Sequence, residues 1–387
     1  MPLKNNKKKR KIILITGSRG ELSYFHPIIG EIKRRPNLDY SMIVTNAHPL
    51  DIFGSTINEI KKDKFKIDEI IYNTLDGYNH ITMAKSLGIF MLHLPELFKR
   101  IKPDIILVAG DRGEQLMAAI VGAHMYIPVA HIQSGEISGN IDGVTRHAIT
   151  RFAHIHFAAY KEAANRIIRT GEEKSRVHLV GAPQLDGFIS GRVTSRKEIF
   201  NKYRLKEGQP NFLFVFHSVT EEYEQTAKNV DNIMSVIKEF GYPTIIITNN
   251  SDAGSAIVRR KIREHQQSFM HLLDNVTNAD YAGFLSVVDV IIGNSSSGII
   301  EAPVFKLPAV NIGNRQAGRM RAINVIDVGY DKDEIKKAIN LALSKTFKKK
   351  MEKCTSPYGD GHSAKRIVDI LEKIEINDNL LVKKLTY

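Results

Sequence analysis

Residues 287–312, VVDVIIGNSSSGIIEAPVFKLPAVNI, decide how this chain folds. An apolar run leads into a small polar turn, a periodic segment, the breaker KLP and a second apolar run, so the stretch predicts strand, turn, helix, strand. Ser295, Ser296 and Ser297 stand where that helix is expected to open. There the first four N–H groups have no intrahelical partner and the helix dipole is positive, which suits a capping oxygen and a bound phosphate alike. Capping by Ser295 alone is the plain reading, and phosphate binding the functional one.

The same unit recurs outward in both directions. In the first half KIILIT (11–16), DIILVAG (104–110), PVAHI (128–132) and HIHFAA (154–159) alternate with helix-like segments at 22–35, 81–100 and 113–124. The segment VHLVGAPQLDGF (177–188) is rich in turn formers around Gly181, Pro183 and Gly187. After it the pattern restarts with NFLFVFHSV (211–219), PTIIITNN (243–250), DVIIGNSSS (289–297) and PAVNI (308–312). The fold class is therefore α/β, with two Rossmann-like, doubly wound domains facing each other across a cleft. We expect domains at 1–185 and 190–360, followed by a helix at 361–376 packing across the junction. That helix carries apolar residues at Ala364, Ile367, Ile370, Leu371 and Ile374.

Composition narrows the function. A chain of 387 residues with 43% hydrophobic content is long enough for two cores. No apolar run approaches the roughly 20 residues that span a bilayer, and the basic start leads into a strand without a cleavage pattern, so we read a cytoplasmic protein with no membrane partner. The net charge of +13 is concentrated in Lys4, Lys7, Lys8, Lys9, Arg10 and Lys11, and in Lys348, Lys349, Lys350 and Lys353. Without interleaved aromatics such runs read as solvated faces, so no nucleic-acid partner is expected. An anionic small substrate accounts better for the interior arginines. The single cysteine, Cys354, excludes an internal disulfide and a cysteine metal cluster.

Ligands of open α/β sheets sit at the carboxyl ends of strands, and the loops expected there are polar. TGSRGELS (16–23) lacks the dinucleotide and P-loop glycine spacings, so no nicotinamide cofactor is expected. It offers Arg19 and Ser23, where a guanidinium suits a diphosphate and a surface turn is the alternative. Asp111 and Arg112 follow a buried-looking run, where a carboxylate is costly to desolvate unless paired or used; pairing with Arg112 is the structural alternative. Glu136 and Asp142 lie six apart in a glycine-rich loop, with Arg146 and His147 where a helix is expected to begin and Asp142 an ordinary N-cap candidate. His217 closes LFVFH at a strand end, as a base or a satisfied structural group. No histidine pair has zincin spacing, so no metal is expected.

These residues carry a resemblance. GDR (110–112), SGEISGNIDGVTRHAIT (134–150), NSDAGS (250–255) and GNSSSG with NIGNRQAGR (293–319) resemble, in the same order, the hydrolysing nucleotide-sugar 2-epimerases. That branch of the UDP-N-acetylglucosamine 2-epimerase superfamily feeds sialic and related nonulosonic acid synthesis, including legionaminic-type acids. The resemblance spans residues 11 to 375 and implies the GT-B-like two-domain architecture. It implies diphosphate contacts from Ser295 and Ser296, sugar-phosphate contacts from Arg19 and Ser23, and nucleotide contacts from Asn250, Glu301 and Arg315. Asp111, Asp142 and His217 match catalytic positions, with Glu136 in the same loop.

The implied reaction eliminates nucleoside diphosphate by breaking the C1–oxygen bond and removing the C2 proton, then hydrates the glycal to a free sugar inverted at C2. It uses no cofactor. Gln133 stands where members acting on UDP-N-acetylglucosamine often carry glutamate, which makes a 2,4-diacetamido-6-deoxy sugar an alternative substrate and leaves UDP and GDP donors open. The implied partners are a UDP-sugar and a second copy of the chain, as a dimer or tetramer. A GT-B glycosyltransferase, a non-hydrolysing 2-epimerase and a nucleotide-sugar sensor are the competing readings.

Overall fold

The computed structural model describes residues 9–77, 79–139, 141–189, 193–247, 252–274 and 276–386. The first sheet comprises β1 (Arg10–Thr16), β2 (Leu38–Val44), β3 (Ile67–Ile70), β4 (Ile105–Ala109), β5 (Val129–Ile132), β6 (Ile155–Ala158) and β7 (Val177–Leu179). The second comprises β8 (Phe212–Val215), β9 (Thr244–Ile247), β10 (Met270–Leu273), β11 (Val290–Gly293), β12 (Ala309–Ile312) and β13 (Val325–Val328). Their orders are β3-β2-β1-β4-β5-β6-β7 and β10-β9-β8-β11-β12-β13, and every pairing is parallel.

Continuous apolar strands are what a sheet covered on both faces requires, because alternate side chains fill opposite cores. Ile12, Leu14 and Leu107 join one core of the first domain, whereas Ile13, Ile15, Ile106 and Val108 join the other. The second sheet divides likewise, with Phe212, Phe214 and Ile292 on one face and Leu213, Val215 and Ile291 on the other. After β13 the chain returns to the first domain. The helix Ser363–Lys373 buries Ala364, Ile367, Val368 and Leu371 in the core shared with Phe25, Ile28 and Ile32 of the helix Arg19–Lys33. The Asp186 carboxylate accepts from the N–H groups of Ser363 (3.1 Å) and Ala364 (2.7 Å) at its start. Among the described residues no helix is long and apolar enough to cross a membrane.

Both sheets reverse direction of winding at one place, between β1 and β4 and between β8 and β11. Connections leave to opposite sides there, so a crevice opens at the carboxyl ends of those four strands. The turn after β11 is shaped by Gly293, at φ +130°, where a Cβ would lie 2.1 Å from the Val215 carbonyl oxygen of β8. Ser295 Oγ accepts from the Ser297 N–H at 3.3 Å, while Ser296 makes no side-chain cap. The helix expected after the serines is only one turn, Ser297–Ile300, followed by a 3-10 turn, Ala302–Phe305. Pro303 explains the break, since it has no N–H to continue the α ladder. The dipole behind the serines is thus that of a single turn, and hydroxyls and free N–H groups must supply most of any anion affinity. Gly293→Ala should destabilise the fold by about 2–3 kcal/mol, the scale of a forbidden backbone conformation. Urea unfolding of the variant measures this, and an unchanged midpoint would contradict the close approach of β11 to β8.

Candidate active site

The crevice is a cavity of about 260 Å³. Its first-domain wall carries Arg19 and Ser23 after β1, Asp111 and Arg112 after β4, and Asp142. Its second-domain wall carries His217 after β8, Ser295, Ser296 and Ser297 after β11, Glu301, and Arg315 after β12. Tyr24, Phe53, Phe188, Val276 and Tyr281 add apolar surface. Eleven residues singled out from the sequence therefore share one cleft. Gln133 and Glu136 do not line it; both are buried behind the wall. Asn250 lies outside the described residues.

The turn after β1 is set by Glu21, whose Oε2 accepts from the N–H groups of Gly17 (2.5 Å) and Ser18 (2.8 Å). Gln115 Nε2 donates to Glu21 Oε1 and to the Ile15 carbonyl, both at 2.9 Å, while Gln115 Oε1 accepts from the Ala109 N–H at 3.1 Å. The loop ends of β1 and β4 are thereby locked together, and Arg19 is held toward the second domain, where Nη2 donates to the Asp274 carbonyl at 3.5 Å. Asn294 fixes His217 in the same fashion: its Oδ1 accepts from the His217 N–H (2.7 Å) and its Nδ2 donates to the His217 carbonyl (2.8 Å). Burial, with Arg315 nearby, pushes the imidazole down to about 3. The ring is neutral near pH 7, and its Nδ1 has no protein partner.

The carboxylates fall into distinct electrostatic settings. Burial would raise Asp111, but Arg146 above all, then Arg319, Arg315 and Arg112, hold it below the usual carboxylate value. Its direct partner is Arg146, not the neighbouring Arg112. Arg112 instead crosses the cleft to Asp252 of the second domain, Nη2 to Oδ1 at 2.6 Å. Burial and the adjacent Asp111 charge push Asp142 up to about 6, against Arg315, whose Nη2 lies 3.6 Å from Oδ2. Burial likewise raises Glu136, which faces Arg319 at 3.6 Å and Arg146 at 3.9 Å, and pushes Glu301 up to about 6. The helix containing Asp142 and Arg146 spans Ile141–Phe152, so it opens before Arg146 and places Asp142 in its first turn rather than at a cap. One turn of helix separates the two residues, which lets Arg146 anchor Asp111 while Asp142 faces the cavity. Among the described residues no three potential ligands are grouped to hold a metal ion.

Sequence reasoning left Arg319, Asp252, Tyr24 and Tyr281 without a role. Arg319 and Asp252 belonged to quoted motifs, and the number of charges there was the available signal; nothing marked the tyrosines. The two walls also touch through backbone. The Gly139 N–H donates to the Arg315 carbonyl at 3.2 Å, and a Cβ on Gly139 would lie 2.0 Å from the Asn314 oxygen.

Comparison with known proteins agrees with this geometry. The family model for UDP-N-acetylglucosamine 2-epimerase matches residues 30–372. Over 376 residues the chain is 36% identical to the hydrolysing UDP-N,N'-diacetylbacillosamine 2-epimerase of Legionella pneumophila, spanning 97% of this chain and 98% of that protein. It is 31% identical to the hydrolysing GDP/UDP-N,N'-diacetylbacillosamine 2-epimerase of Campylobacter jejuni, spanning 88% and 89% respectively. The crystal structure of UDP-GlcNAc 2-epimerase from Neisseria meningitidis bound to UDP-GlcNAc superposes with a TM-score of 0.81 at 20% identity, over 94% of this chain and all of that one. The shared fold is the GT-B-like pair of doubly wound domains.

The coupling between the two aspartates is directly measurable. Removing the Asp111 charge should lower the titration midpoint of Asp142 from about 6 toward the ordinary aspartate value. Carboxyl carbon NMR of Asp111→Asn reads the shift, and an unchanged midpoint would show that burial alone sets it.

Proposed function

The chain belongs to the UDP-N-acetylglucosamine 2-epimerase family, and from that premise we propose that it hydrolyses a UDP-linked 2-acetamido sugar to UDP and the free sugar inverted at C2. The substrate is UDP-2,4-diacetamido-2,4,6-trideoxyglucose, and the product is the corresponding mannose-configured sugar. Two relatives above 30% identity, named for the diacetamido sugar, support this choice. So does the cleft's apolar surface at Phe53, Phe188 and Val276, which suits a methyl group at C5 better than a hydroxymethyl. The observation that carries the reaction type is the meeting of Asp111, Asp142 and His217 with a serine-rich turn in one cleft.

Elimination breaks the bond from C1 to the diphosphate oxygen and removes the C2 proton, leaving a C1–C2 double bond. Hydration then puts hydroxyl on C1 and a proton on C2 from the opposite face. Asp142, titrating near 6, is suited to removing the C2 proton, because a general acid–base works best near the operating pH, and the proton that returns to C2 on the opposite face comes from solvent water. Asp111 stays ionised and stabilises positive charge developing at C1 as the bond to oxygen lengthens. Neutral His217 orients the water that adds at C1. Arg19, Arg315, Ser295 and Ser296 receive the negative charge that accumulates on the departing diphosphate.

Turnover with a panel of UDP- and GDP-linked 2-acetamido sugars, without an acceptor, should release a reducing sugar, which a glycosyltransferase would not. In heavy water that sugar should carry deuterium at C2, and in oxygen-18 water the label should appear at C1. A retained C2 hydrogen, or label on the nucleotide's phosphate, overturns the elimination route. Asp142→Asn should cut C2 exchange by about 100-fold or more, the scale of lost acid–base catalysis. Ser296→Ala should weaken UDP binding by about 1–2 kcal/mol, a lost hydrogen bond to a charged acceptor. Calorimetry measures the binding change, and unchanged affinity would assign Ser296 to the turn alone.

A further inference from the structure

Four charged groups alternate in a closed cluster behind the cleft wall. Asp111 and Glu136 come from strand-end loops of the first domain, and Arg146 from the helix Ile141–Phe152. Arg319 arrives from the second domain, in the loop after β12. Arg146 Nη2 holds Asp111 Oδ2, and its Nη1 lies 3.9 Å from Glu136 Oε2. Arg319 spans the same two acids, Nη2 to Asp111 Oδ2 and Nη1 to Glu136 Oε2, both at 3.6 Å. The Glu136 and Arg146 side chains are fully buried, and that of Arg319 is 6% exposed. Arg319 is not among the residues that line the cavity.

With only Arg146 present, two buried carboxylates would share one guanidinium, and desolvation would drive a proton onto one of them. A second cation keeps Asp111 on the ionised side while burial still raises Glu136. Arg319 of the second domain supplies one that reaches both acids, and the loop that carries it is seated by contact with the first: Gly318 stands at φ +76°, and a Cβ there would lie 2.7 Å from Ile137 Cγ2.

We propose that Arg319 is a positioning residue that completes this four-charge cluster, so that apposition of the two domains sets Asp111 in its ionised, catalytically competent form. The proposal rests on the epimerase reading for the role of Asp111, but the charge linkage itself does not. The other groups facing the pair are accounted for. Arg315, Arg112, Tyr24, Asp142 and His131 face Asp111. Arg166, Tyr160 and Tyr358 face Glu136. Of the arginines among them, only Arg146 and Arg319 contact both acids.

Arg319→Gln keeps much of the side-chain volume and deletes the charge. In this variant the carboxyl NMR titration of Asp111, assigned against Asp111→Asn, should move to higher pH by about one unit, the size of a lost neighbouring cation, with UDP affinity within about twofold of wild type. Arg319→Lys should return the Asp111 titration toward its original position. Gly318→Ala, which deletes no charge but pushes the loop off Ile137, should move it in the same direction as Arg319→Gln and keeps the proposal testable if that variant does not fold. A slower enzyme with an unmoved Asp111 titration would reduce Arg319 to packing and overturn the proposal. Absence of any sugar release alongside a shifted Asp111 titration would leave the linkage standing and refute the epimerase reading instead.

Discussion

Carboxylates buried at a domain boundary must find cations, and here the two domains supply them to each other. Asp252 of the second domain is met by Arg112 of the first, while Asp142 of the first is met by Arg315 of the second. Arg319 reaches Asp111 and Glu136 from across the same boundary. Desolvating any of these charges alone would cost several kcal/mol, so the walls of the cleft are stable as a pair and poor as separate surfaces. The catalytic geometry is in this sense a property of the interface, and neither sheet contains it.

That constraint also divides the acids by function. Asp111 is surrounded by guanidiniums and stays ionised, whereas burial and the like charge of Asp111 push Asp142 up to about 6 against Arg315, 3.6 Å away. Two carboxyls of the same chemical type thus acquire different proton affinities from position alone. His217 is pushed the other way by burial and by cations, so it stands neutral in the cleft. These three settings match the groups that the proposed elimination and hydration call for: a base at C2, a fixed negative charge near C1 and a neutral orienting group.

Much of this was legible in the sequence, because buried parallel strands are written as apolar runs and their polar ends mark the ligand side. KIILIT, DIILVAG and DVIIG became β1, β4 and β11, the strands at the switch points. Strands β2, β3, β7, β10 and β13 had no such mark. All but β2 are sheet edges, short and partly exposed, and IDEI and VIDV carry charges where a central strand could not. The serine turn was readable as a turn, but the helix behind it was read too long because its periodicity runs through Pro303. The partner of Asp111 was not readable at all. Arg112 adjoins it in sequence, yet consecutive residues at a strand end point in different directions, and the guanidinium that reaches Asp111 comes from Arg146, thirty-five positions later. Gln133 and Glu136 were identified by motif, which reports position in a loop and not which way a side chain faces; both lie behind the cleft wall.

The glycines of the boundary show why the charges can meet. An arginine can bridge two buried acids only if the backbones carrying them approach closely, and side chains at Gly139 or Gly318 would hold the loops apart. Both stand in the motifs that carry the charged residues, Gly139 between Glu136 and Asp142, and Gly318 between Arg315 and Arg319. Close approach and charge pairing therefore depend on each other. Without the glycines the arginines stop short and leave carboxylates desolvated and unpaired. Without the arginines the tight contact would press together acids that repel. The diphosphate fits the same logic, as an anion arriving where Arg19 and Arg315 line opposite walls. In the proposed reaction its departure with negative charge is favoured by cations that the fold already had to place there, so the groups that hold the domains together and those assigned to the leaving diphosphate belong to one electrostatic arrangement.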